Sequence, residues 1–137
     1  MDRKKLVNAL IVEEGIRLRP YKDSKGILTI GVGRNLQKGI SLATALQMLD
    51  EDINEAVTDL MTFSWFPQLD DVRQRVLVDM RFNLGPDKFR GFGKMLSALA
   101  SKDYHLASTE MLNSQWAKDV KGRAVKLAKM MELGQDV

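Results

Sequence analysis

The chain contains no cysteine. That excludes a disulfide framework, a thiol nucleophile and any metal site built on thiolates. It has one histidine, His105, with no second one to share a ligand role, so His105 is expected at the surface. Long apolar runs are missing as well. In the opening stretch MDRKKLVNALIVEEG the longest uninterrupted run is Ala9 to Val12, too short for the core of a signal peptide or for a membrane span. Synthesis in the cytoplasm and no membrane insertion are the expectations. The acidic run Asp50, Glu51, Asp52 and Glu55 lacks the glycine of a calcium loop and marks a solvated helix face, so neither metal nor cofactor is expected. Lysine and arginine are interspersed with acids, and neither an aromatic-basic stripe nor a nucleic-acid motif is present, which argues against nucleic acid as a partner.

What is present fits one globular domain. The 137 residues are 45% hydrophobic and 28% charged, a balance that folds around a core rather than staying disordered. A monomer is expected. The eight methionines are expected to fill gaps in that core. The net charge of +3 is modest and has two readings: it simply aids solubility, or it serves attraction to an anionic polymer such as the bacterial wall.

The stretch from Glu13 to Leu36, EEGIRLRPYKDSKGILTIGVGRNL, carries the chemistry. Leu6, Val7, Leu10, Ile11 and Glu14 recur at helical steps and Gly15 marks the helix end. A carboxylate in the last helical turn faces the negative end of the macrodipole, which disfavours its ionised form. Alternation then replaces helical periodicity, with Leu28, Ile30 and Val32 on one parity and turn residues at Asp23 to Gly26, so a small hairpin is expected with Asp23 at its mouth. Gly31 and Gly33 leave the returning strand bare at two alternate positions, where another backbone or a ligand can approach. Two carboxylates flanking a cleft suit glycosidic bond cleavage, one protonating the leaving oxygen and the other activating water. Partial burial of Glu14 would suit it to the acid role, and the polar turn would keep Asp23 ionised. Thr29, on the returning strand, offers a hydroxyl to position that water.

The residues Glu14-Gly15, Arg17-Leu18, Tyr21-Lys22-Asp23, Gly26, Thr29-Ile30-Gly31 and Gly33 together resemble the signature of phage-type lysozymes, glycoside hydrolase family 24. The resemblance implies an α+β, mostly α, lysozyme-like two-lobed fold, with a small β-hairpin lobe, a long connecting helix and a C-terminal helical lobe. It implies a muramidase, which lyses the bacterial cell wall by hydrolysing the link between N-acetylmuramic acid and N-acetylglucosamine in peptidoglycan glycan strands, with inversion. Glu14 matches the general acid, Asp23 the second carboxylate and Thr29 the threonine beside the attacking water. A lytic transglycosylase and a non-catalytic peptidoglycan-binding relative are the alternatives. The resemblance also implies a phage or prophage lysin released with the help of a holin. One position departs from the pattern. Arg34 stands where many members have a histidine that pairs with an aspartate; an arginine can make that pair but cannot titrate near neutral pH.

The expected organisation is a hairpin lobe with the N-terminal helix over 1–40, a connecting helix over 41–62 and a helical lobe over 63–137. Family members carry further strand and helix material between the hairpin and the long helix, so the first lobe is expected to be trimmed. Ser41 caps the connecting helix, whose Leu42, Leu46, Leu49, Ile53, Val57 and Leu60 lie on one face. Later helices are expected from Asp70 to Gly85, from Gly93 to about Ser101, from Asp103 to about Gln115 with Trp116 at its end, and in the basic C-terminal stretch. Phe82 and Asn83 match positions that line the family's saccharide groove. Arg123 matches an arginine near the start of the last helix that ion-pairs with the catalytic glutamate.

Overall fold

The computed structural model describes residues 1–137. The architecture is α+β and mostly helical. The elements are α1 (Arg3–Glu14), β1 (Arg17–Lys22), β2 (Leu28–Gly31), β3 (Arg34–Asn35), α2 (Leu42–Leu60), α3 (Asp71–Leu84), α4 (Pro86–Arg90), α5 (Gly93–Ala100), α6 (Tyr104–Leu112), α7 (Gln115–Val120) and α8 (Gly122–Leu133), with single 3-10 turns at Leu36–Lys38 and Phe66–Gln68. The chain divides into two compact units, Met1–Gln47 and Met48–Val137, so that α2 contributes to both.

In the first unit an antiparallel sheet of order β1-β2-β3 follows α1. Tyr21 pairs with Thr29 and Lys22 with Leu28 across the hairpin, and Thr29 with Asn35 on the other side. The third strand was not expected: Arg34 to Gly39 has the composition of a polar connection, and two residues of strand leave no alternation to detect. The sheet exists because Asp23 to Gly26 turns the chain tightly and Gly31 and Gly33, at φ 69° and 66°, turn it back again.

In the second unit eighteen residues form one core, centred on Leu60, Val76, Leu77, Met80, Phe89, Met95, Leu99, Met111 and Met131, all fully buried. Five of the eight methionines lie in it, as expected of gap-filling side chains. The apolar face of α2 departs from expectation. Ala56 and Leu60 are buried, but Leu42, Leu46, Leu49 and Ile53 remain exposed, because the packed core begins only at the helix's last turn. The segment expected as one helix from Asp103 to Gln115 is two. Asn113 ends α6, and the Ser114 hydroxyl accepts from the Ala117 amide to start α7, so Trp116 opens a helix rather than closing one.

Candidate active site

Glu14 is placed by both ends of α1. The Asp2 carboxylate accepts from the Lys5 amide at 3.0 Å and starts the helix, and Gly15, at φ 74°, ends it by donating to the Ile11 carbonyl at 2.8 Å. Glu14 therefore sits in the last turn, as expected. It is exposed, not partly buried, since α1 buries no residue. No hydrogen bond or ion pair engages its carboxylate. What it touches is the bare backbone of Gly33: a Cβ there would stand 2.8 Å from Glu14 Oε2 and 3.1 Å from Cδ.

Asp23 is held by its own turn. One carboxylate oxygen, Oδ1, accepts from the Lys25 amide at 2.8 Å and from the Ile27 amide at 2.9 Å. The Asp23 amide donates to the Ile27 carbonyl and the Gly26 amide to the Asp23 carbonyl, both at 2.9 Å. The second carboxylate oxygen is left uncommitted. Thr29 is buried in the middle of the sheet, and its hydroxyl donates to that same Ile27 carbonyl at 2.8 Å. Ile27 thus fixes both Asp23 and Thr29 through its backbone, a role no side-chain reasoning could have found. Arg34 lies exposed on β3, in register with Ile30, and makes no ion pair.

The second unit holds the remaining expected residues. Asn83, near the end of α3, accepts from the Trp116 indole through Oδ1 at 2.8 Å, which fixes the orientation of the amide and leaves its NH2 free. Trp116 is buried and meets Phe92 edge-on at 6.3 Å. Asn83, Phe92 and Trp116 line a cleft of about 790 Å³, with Lys88, Glu110 and Asp119 among its charged residues. Phe82 is exposed and does not line it. Arg123 stands at the start of α8, as expected, but the carboxylate it engages is that of Asp79, at 2.9 Å from Nε. Asp79 lies 44 positions upstream and carries no local sequence signal.

Chemically, the first unit presents an exposed carboxylate on Glu14, a second one on Asp23 with one oxygen spare, and a Thr29 hydroxyl held by the same Ile27 backbone that holds Asp23. No group of three or more histidine, aspartate or glutamate side chains could hold a metal ion. The phage lysozyme family model matches residues 12–131. A probable T4-type lysozyme of Dictyostelium discoideum is 24% identical over 153 aligned positions, which cover 89% of this chain and 90% of that protein. The endolysin of Salmonella phage P22 is 32% identical over 112 positions, covering 73% of each chain. The pre-baseplate central spike protein of Enterobacteria phage T4 is 24% identical, over 89% of this chain and 26% of its own length. An alignment of 153 positions exceeds the 137 residues here, so the Dictyostelium protein carries residues this chain lacks.

Proposed function

This chain belongs to the phage lysozyme family, and from that premise we propose that it hydrolyses the β-1,4 bond between N-acetylmuramic acid and N-acetylglucosamine in peptidoglycan. A lysozyme-type hydrolase is the general activity. In the specific reaction, Glu14 gives its proton to the leaving 4-oxygen as the glycosidic bond breaks. A water bonds to the anomeric carbon from the opposite face and passes its proton to Asp23, and exchange with solvent resets both groups. Inversion at the anomeric carbon follows from that single displacement.

The observation that carries the reading is the division of labour within the Asp23 carboxylate. Oδ1 is occupied by two backbone amides, and Oδ2 remains to receive a proton from water. The Thr29 hydroxyl already donates to Ile27, so it acts toward that water as an acceptor. Glu14, with no partner, is free to meet a glycosidic oxygen. In the second unit the free NH2 of Asn83 is a donor for a substrate amide or hydroxyl and Phe82 offers an exposed ring, whereas Arg123, expected to pair with the catalytic glutamate, is engaged by Asp79 instead. The two units are taken as the lobes of one lysozyme domain acting as a monomer. No helix is long and apolar enough to cross a membrane. Release to the wall with a holin belongs to the same reading.

The test is clearing of purified peptidoglycan by the wild type and by Glu14→Gln, with the released sugar ends identified. Reducing ends from the wild type and none from the variant are expected. Anhydro-muramyl ends would instead make the enzyme a transglycosylase and remove the role given to Asp23, and binding without release would leave a wall-binding relative.

A further inference from the structure

Gly31 and Gly33 both hold left-handed backbone, at φ 69° and 66°, yet they differ in what surrounds them. A Cβ on Gly31 would meet nothing within 4 Å. On Gly33 it would press on the Glu14 side chain, at 2.8 Å from Oε2, 3.1 Å from Cδ and 3.4 Å from Cγ. Turn geometry alone accounts for a glycine at position 31. At position 33 it accounts for half of the requirement.

The rest concerns what holds Glu14 in place. Its carboxylate has no hydrogen bond and no ion pair, and its helix buries no residue. The neighbour its carboxylate rests against is the bare backbone between β2 and β3. A methyl group at 33 would cost the fold little through this contact, because the atom it meets is the far end of a flexible side chain. The side chain would swing away, and the carboxylate would leave its position. The fold therefore tolerates the change better than the geometry does.

We propose that Gly33 is a positioning residue for Glu14, its missing side chain letting the carboxylate rest against the β2–β3 turn at the place where it meets substrate. The inference rests on the acid role proposed for Glu14. It also separates two glycines that look equivalent in sequence.

The comparison to make is Gly33→Asn against Gly31→Asn. Asparagine accepts left-handed backbone better than other side-chain-bearing residues, so both variants keep most of the turn while each adds a Cβ. Turnover on peptidoglycan and the 13Cδ resonance of Glu14 are then measured for both. Gly33→Asn is expected to lower kcat by ~10–100-fold with KM nearly unchanged, as for a catalytic group displaced by about an ångström, and to shift the Glu14 resonance. Gly31→Asn is expected to leave kcat within about threefold of wild type and that resonance in place. Equal effects of the two variants on kcat, or an unmoved Glu14 resonance in Gly33→Asn, would overturn the proposal. If the wild type releases no sugar ends, the acid role has failed, and the resonance alone decides whether Gly33 places the carboxylate.

Discussion

The unit Met1–Gln47 buries a single residue, Thr29, whereas Met48–Val137 closes eighteen residues into one core. The two are specified by different physics. In the second unit, apolar burial at about 25 cal/mol per Å² dominates, and methionines fill the gaps between helices. In the first, Leu6, Val7 and Leu10 of α1 stay exposed, and the structure rests on turn hydrogen bonds around Asp23 and Ile27 and on glycines in left-handed backbone. A region with so few buried apolar contacts opens locally at low cost. The candidate acid, base and water-positioning hydroxyl all lie there, so accuracy in the proposed chemistry depends on short-range backbone geometry while the overall stability resides elsewhere.

Glu14→Gln should sharpen that comparison most. The side chain is exposed and unpartnered, so its amide should leave the urea midpoint unchanged while hydrolysis falls by ~100-fold or more, the loss expected when a general acid is removed. A matching loss of stability would show that Glu14 is structural. Phe89→Ala should do the reverse. Phe89 is fully buried in the second unit's core, and emptying its site should cost about 3–5 kcal/mol by urea denaturation. Leu10→Ala, on the exposed face of α1, should stay within about 0.5 kcal/mol. Comparable costs for the two would break the comparison outright.

Asp59 tests whether the second unit also depends on a polar device. Its Oδ2 accepts from Arg81 Nε at 2.6 Å and from Arg90 Nη1 at 2.9 Å, tying the end of α2 to α3 and α4, and Arg81 is itself buried. Burial is the largest single influence and pushes the Asp59 carboxyl up, but the bonds from Arg81 and Arg90 together with their charges outweigh it and hold the group below its ordinary 3.8. The folded value being depressed, the contribution is present above pH 3.8 and is lost as pH falls through the folded value. Asp59→Asn should cost about 1.5–3 kcal/mol at neutral pH, the range for hydrogen bonds to charged groups, and the gap to wild type should close in acid. A gap that persists at low pH would assign the effect to packing instead of charge.

The sequence was legible where structure is local. The DSKG turn with its hairpin, the Gly15 helix end and the Asp70 and Asp103 caps depend on neighbours a few residues apart, and all appear as expected. The split between α6 and α7 was equally readable from Ser114, whose hydroxyl bonds three residues on, but an apolar-periodic segment on both sides masked it. Strand β3 is two residues long and is defined by its partner. Long-range pairings left no trace: Asp79 for Arg123 and Asp59 for Arg81 and Arg90 are choices made by the packed fold among many similar charges. The exposure of Glu14 was hidden for the same reason, since periodicity gives a helix a face without saying what covers it.

The smallest effect is expected from His105, and it asks whether burial or membership of the larger unit is what matters. Its Nδ1 lies 2.7 Å from Glu132 Oε1, across α6 and the last turn of α8, and the imidazole is exposed. The hydrogen bond to Glu132 and then its charge raise the imidazole above the ordinary 6.5, burial opposes weakly, and Asp103 adds to the rise. A raised folded value means that the contribution is complete below pH 6.5 and disappears as pH climbs through the folded value. Solvent and salt screen such a pair, and the end of α8 is independently fastened by Arg73, which donates to the Met131 and Glu132 carbonyls at 2.6 and 2.8 Å. An NMR titration should therefore place His105 above 6.5 in the wild type and return it toward that value in Glu132→Ala, with the urea midpoint almost unmoved. A loss of stability in Glu132→Ala as large as that in Asp59→Asn would mean that exposed and buried pairs count alike in the second unit, and burial would no longer explain why that unit is the stable one.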